Sequence, residues 1–252
     1  MRFIFLLLGV ALLPTRPVSA QSLAERVAAA GDGAVIFTYA ASPEVCGDGE
    51  GAVRIGRGYR THYGEDPQPC EHGPVQVRLT MQSGRASRVE SWVGRTRPRE
   101  GRILGTVPAA EASRYLIGVA ARERDPAGAR AVSAAVMADS GVVWPSLLAI
   151  ARDSAAGRRS ARAEAAFWLS RFAAAAIGGH SMALGDDAEA VDDVKLHAVF
   201  VLSQLPNREG IAPLLDVVRS HAELAVRQRA LFWLGQSGDP RAFALFESLL
   251  QG

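Results

Sequence analysis

The phrase VRQRALFWLG at residues 226–235 has two companions, VKLHAVFVLS at 194–203 and ARAEAAFWLS at 161–170. All three keep the same columns: a small residue or Val, a base, two free positions, Ala, a free position, Phe, Trp or Val, Leu, and Ser or Gly. A weaker copy, Ala129 to Met137, keeps Arg130 in phase with Arg162, Lys195 and Arg227. The copies start at 129, 161, 194 and 226, and spacings of 32 or 33 residues are those of stacked supersecondary units with room for two helices each. The partner helix of a pair is visible at Trp144 to Arg152 (WPSLLAIAR) and at Ala212 to Arg219 (APLLDVVR). Gly238-Asp239-Pro240 opens a last helix through Leu250, whereas Gly178, Gly179 and Gly185 interrupt the pattern between Phe172 and Ala190.

Working outward, the helical grammar begins at Pro108, which suits a first helical turn, and Ala109 to Glu123 runs on without a breaker. Residues 108–252 are therefore read as one helical region and 21–107 as another kind of module. The earlier stretch holds 13 glycines between Gly31 and Gly105 and four candidate strands, Ala34–Ala40, Ala52–Arg57, Val75–Met81 and Ser87–Val93. Val75, Val77, Leu79 and Met81 alternate with Gln76, Arg78 and Thr80, the period of a sheet with one wet face. Ser22 to Ala30 reads as a short leading helix closed by Gly31-Asp32-Gly33, and loops dominate from Ser42 to Gly73. The fold class expected is α+β: a small β-rich module followed by a C-terminal α-solenoid.

Those repeats resemble HEAT-type repeats in the short form of about 30 residues named after the phycobilisome lyases, over roughly residues 125–252. The whole chain also resembles secreted bacterial proteins with HEAT repeats. The resemblance implies an α-solenoid that serves scaffolding or partner binding, which is a fold-level warrant only. Lyase chemistry would require a cytoplasmic pigment system, and the N-terminus argues against that address.

Residues 1–20, MRFIFLLLGVALLPTRPVSA, have the layout of a secretory signal: Arg2, the apolar run Phe3 to Leu13, then Val18-Ser19-Ala20. Cleavage is expected after Ala20, and the run is too short to span a bilayer. No later stretch reaches 18 apolar residues, so a protein in the periplasm or outside the cell, with no membrane span after cleavage, is expected. In that compartment an even pair of cysteines, Cys46 and Cys70, favours a disulfide over a metal site with His62 and His72, whose spacing matches no common zinc motif. Both leader charges are arginines, so removing it leaves bases and acids in balance, and no nucleic-acid partner is expected. The run Arg95, Arg97, Arg99, Arg102 reads as a solvated linker.

On a helical wheel centred on Ala198, Val194, Val201, Leu202 and Leu205 form the core stripe, and Phe200 falls on the opposite side. Phe167, Phe200 and Phe232 then either pack between repeats or form an apolar ladder. The basic column Arg162, Lys195, Arg227 either pairs with neighbouring carboxylates, such as Glu164 or Asp193, or receives an acidic partner. These six are the candidate partner-binding residues. Trp168 and Trp233 are expected in the core. No HExxH, GxSxG or phosphate loop occurs, the histidines (His62, His72, His180, His197, His221) lack partners in catalytic spacing, and Asp186, Asp187, Asp192 and Asp193 lack the spacing of a calcium loop. No catalytic, metal or cofactor residue is therefore assigned. The expected function is interaction with a protein partner whose identity, like the oligomeric state, the sequence leaves open. The alternative is a hydrolytic or metal-dependent enzyme with a site between the two regions, built from His62, His72 and nearby acids. A structural element stacking end to end through Leu245, Phe246, Leu249 and Leu250 is a third reading.

Overall fold

The computed structural model describes residues 21–55, 59–60, 70–95, 99–124, 126–139, 143–153, 157–178 and 193–252. The leader read over residues 1–20 lies outside them, as do His62, His180, Arg97, Asp186, Asp187 and Asp192. Helix α1 (Leu23–Ala30) begins at Ser22, whose hydroxyl accepts from the Glu25 N–H while Glu25 bonds back to the Ser22 N–H, a reciprocal cap. It ends at Gly31, whose φ of 72° suits a residue without Cβ.

Strands β1 (Gly33–Tyr39), β5 (Val75–Gln82), β6 (Arg85–Val93) and β7 (Arg102–Thr106) form one sheet in the order β6-β5-β1-β7. The first three pair antiparallel, and β7 joins β1 in parallel. Three short strands, β2 (Val45–Gly47), β3 (Val53–Ile55) and β4 (Tyr59–Arg60), form a second sheet. The strands expected from alternation are present. β2, β4 and β7 were not expected, because runs of two to five residues beside or around glycines carry no readable period. Cys46 and Cys70 form the expected disulfide, and the Gly47–Glu71 bridge beside it fixes the loop's ends.

Val35, Phe37, Tyr39, Val75, Val77, Leu79 and Val89 turn one face of the larger sheet toward the helices α2 (Ala109–Arg122) and α3 (Ala127–Val136), and the apolar cluster continues into the helical region without a break. Polar ties reinforce it. The Tyr39 hydroxyl donates to the Ala134 carbonyl at 2.6 Å, and burial pushes this phenol far above its ordinary range. The Ser42 N–H donates to Met137, the Asp139 N–H to Ala40, and the Glu123 carboxylate accepts from Ala86 N–H and Arg85.

The remaining helices are α4 (Trp144–Arg152), α5 (Arg159–Gly178), α6 (Asp193–Ser203), α7 (Ile211–Ser220), α8 (Leu224–Ser237) and α9 (Pro240–Gln251). They form two rows, α2-α4-α9-α7 and α3-α5-α8-α6, so neighbours in space are not neighbours in the chain. The last hairpin, α8–α9, is wedged between the α4–α5 pair and the α6–α7 pair. Gly235 is one reason. A Cβ there would lie 2.7 Å from the Ser170 Cβ and 3.0 Å from the Ala166 carbonyl oxygen, so only glycine lets α8 approach α5 this closely. In the same column α6 has Ser203.

Candidate partner-binding face

The repeat places the same columns on different helices, and their surroundings decide what each can do. Phe167 on α5 and Phe232 on α8 meet edge to face, with ring centres 6.3 Å apart. Phe232 meets Trp233 at 5.0 Å, Trp233 meets Phe200 of α6 at 5.2 Å, and Phe200 lies 6.0 Å from the His197 ring. Five rings on three helices thus form one strip. Its α5 end is half-buried, and its α6 end is open, with Phe200 39% exposed. A groove of about 430 Å³ beside Phe167 is lined by Ala129, Arg159, Ala163, Glu164 and Gln236, from α3, α5 and α8. Glu164 is held in it by the Ser133 hydroxyl at 2.6 Å and the Trp168 indole N–H at 2.9 Å.

The expected core stripe of α6 is not its buried side. Ala198, Val201 and Leu205 are exposed, and Val199 is buried in their place. The wheel was drawn for a helix flanked on both sides, whereas α6 stands at the end of its row against α8 and α7. Trp168 is fully buried, as expected, while Trp233 is half-buried and its Nε1 has no hydrogen-bond partner among the described residues.

Two of the three bases in the column have partners within the fold. Lys195 pairs with Glu223, at the N-cap of α8 rather than on Glu164 or Asp193, and Arg227 donates from Nε to the Val218 carbonyl that ends α7. Arg162 is half-buried on α5. Of the six sequence candidates the structure brings the three phenylalanines into one strip, and it gives Lys195 and Arg227 partners on neighbouring elements. Val201, Leu205 and Leu224, all exposed, were missed. Val201 stands in a repeat column and Leu205 in the expected core stripe, and neither position announces exposure at an array end, which is not written in a repeat.

Of the residues named for the enzyme alternative, His62 lies outside the described residues. Cys46 and Cys70 bond to each other, and His72 Nδ1 lies 3.1 Å from the Val45 carbonyl oxygen beside them. His221 Nδ1 accepts from the Glu223 N–H. Among the described residues no three of His, Cys, Asp and Glu are grouped to hold a metal ion. The end-stacking residues are also placed differently from expectation. Leu245 and Phe246 are buried, because α9 lies between α4 and α7 instead of at the array's end.

Fold and face together define an α+β protein with helical repeats in its C-terminal part. Residues 226–252, which are α8 and α9, match the PBS lyase HEAT-like repeat. No curated protein and no solved structure matches the chain significantly. Repeats of this type generally serve protein–protein interaction.

Proposed function

We propose that this chain is an exported, non-enzymatic interaction module that binds a partner protein through its helical array, read as a short α-solenoid with an intercalated last hairpin. The observation that carries the reading is the aromatic strip ending in the open apolar face of α6. Ala198, Val201 and Leu205 follow an i, i+3, i+7 spacing, the stripe by which one helix packs along another, so the partner element is an apolar helical face. A contiguous apolar patch of this kind on a soluble domain marks an interaction site. Export is supported by the leader's layout and by its junction with the fold, since cleavage after Ala20 leaves the Ser22 cap of α1 whole. The Cys46–Cys70 disulfide suits an oxidising compartment. Among the described residues no helix is long and apolar enough to cross a membrane.

The test is crosslinking of residues 21–252 in an envelope extract of the native host, with Val201→Glu/Leu205→Glu and Arg162→Glu run beside the unaltered chain. One saturable species is expected, lost in the first variant and kept in the second. A species that survives Val201→Glu/Leu205→Glu, or no species at saturating bait, overturns the reading.

A further inference from the structure

The larger sheet has two free edges, and the chain treats them differently. On β7 the Arg26 guanidinium of α1 covers the Leu104 carbonyl. On β6 only the ends are engaged. The Ala86 N–H donates to Glu123, and the Val93 carbonyl accepts from the Gly49 N–H at 3.0 Å. Both bonds point away from β5, and backbone groups along a strand alternate in direction with a period of two. Counting back from Val93, and forward from Ala86 through the register shift opposite Thr80/Met81, both lead to the same residues. Val89 and Ser91 direct their N–H and C=O groups outward, and among the described residues no other element bonds to them.

That stretch of edge is the floor of a groove of about 440 Å³. Its far wall is the start of α3, with Pro126, Ala127 and Arg130, and Gly51 closes one end. Its charged lining residues are Arg88, Glu90 and Arg130. Glu90 is already paired with Arg78, at 3.0 Å, and with Arg88, whose side chain is 69% exposed. Arg130 is exposed and has no ion pair among the described residues. Trp92 is capped by the Arg99 guanidinium, 3.6 Å from the ring centre, which also donates to the Gly49 carbonyl.

We propose that the β6–α3 groove receives an extended acidic peptide segment of a partner protein, which adds as a fifth strand on β6. Main-chain bonds to Val89 and Ser91 hold it, and its carboxylates lie against Arg88 and Arg130. An exposed edge is a hazard that proteins normally cover or charge, so an edge sealed at both ends and open in a basic groove is built for an occupant. The site is independent of the α6 face, and each can fail alone.

The probe is a fluorescein-labelled peptide of alternating Val and Glu, titrated into disulfide-bonded residues 21–252 and followed by anisotropy. Its Lys counterpart and a version N-methylated at alternate residues serve as controls. The Glu peptide is expected to bind at least about tenfold tighter than the Lys peptide, with affinity falling as salt is raised. N-methylation in one register should abolish binding. Ser91→Pro removes an outward N–H that an edge strand does not need, and it should abolish binding with the fold intact by circular dichroism. Should that variant fail to fold, Arg130→Glu on the surface of α3 carries the test, and it should erase the preference for Glu over Lys. Val201→Glu/Leu205→Glu should change nothing here. Equal binding of the two peptides, no binding up to about 1 mM, or an unaltered preference in Arg130→Glu overturns the proposal. So does a concentration-dependent dimer in light scattering that Ser91→Pro dissolves, since a second copy would then be the strand that fills the groove.

Discussion

Helices α5 and α6 carry the same ten columns and sit in opposite surroundings. At the eighth column Trp168 of α5 is fully buried, and Val201 of α6 is 47% exposed. At the fifth, Ala165 is buried and Ala198 is open, although both lie three positions after a base and two before a Phe. Amphipathic pattern is a property of one helix, whereas burial is a property of its neighbours. Helix α5 has α3, α4, α8 and α9 around it; α6 has α8 and α7. A column that forms core inside an array therefore forms surface at its end.

The largest test of this contrast is a pair of truncations in one column. Trp168→Ala should cost about 3–5 kcal/mol, through lost burial and the cavity left, whereas Val201→Ala should stay within about 0.5 kcal/mol. Urea unfolding of both variants reads the difference, and comparable penalties would mean that α6 is enclosed on both flanks.

Next in size is the disulfide, which sharpens the comparison between sheet and helices. Its loop of 24 residues predicts that Cys46→Ser/Cys70→Ser lowers stability by about 3 kcal/mol in the chain-entropy view. Because one apolar cluster joins sheet and array, calorimetry should still give a single transition for the variant. Two resolved transitions would separate what Tyr39, Ser42 and Glu123 are held here to unite.

A smaller effect probes why α8 and not α6 lies against α5. Gly235→Val places a branched side chain where a Cβ already meets Ser170 at 2.7 Å, and overpacking of this kind costs about 1–3 kcal/mol. The same change in the same column of α6, Ser203→Val, should cost about 0.5 kcal/mol or less. A neutral Gly235→Val would remove the close approach as the reason for the wedged hairpin.

The smallest concerns the cap of that hairpin. Asp239 accepts from the Arg241 N–H at the start of α9, and its hydrogen bonds to the Arg241 side chain, with Arg208 nearby, hold its carboxyl below the ordinary range. A depressed folded pKa means its contribution is complete above the unfolded value of about 4 and is lost as pH falls through the folded one. Asp239→Ala should cost about 1 kcal/mol at neutral pH. Thermal midpoints followed downward from pH 5 should show a shallower acid decline in the variant than in the unaltered chain. Parallel declines would exclude Asp239 from acid unfolding.

Most of the helices could be read because their signals are local. Pro108 starts α2, Gly238-Asp239-Pro240 starts α9, and the Phe-Trp-Leu columns mark α5 and α8. Val75 to Met81 gave β5 its core face for the same reason. What escaped reading depends on contacts distant in sequence. β7 exists only as a parallel partner of β1, and its own residues, Arg102 to Thr106, are almost all exposed. Arg99 was read as a solvated linker residue, yet it stacks on Trp92 from a different element. The basic column looked like a ladder because Arg162, Lys195 and Arg227 share a phase, and Glu223 and the Val218 carbonyl claim two of them.

The sequence by itself determined that this chain has a sheet and a set of repeated helices, which cysteines pair, and which columns are apolar. Periodicity, caps and spacing are carried by residues a few positions apart. Only the tertiary structure decided which repeat became the end of the array, which face of α6 was left open, and which stretch of β6 has no further strand partner among the described residues. Those outcomes follow from the order in which helices pack. That order is set by close approaches such as Gly235 on Ser170, which the repeat puts in one column 65 positions apart but which only packing brings into contact.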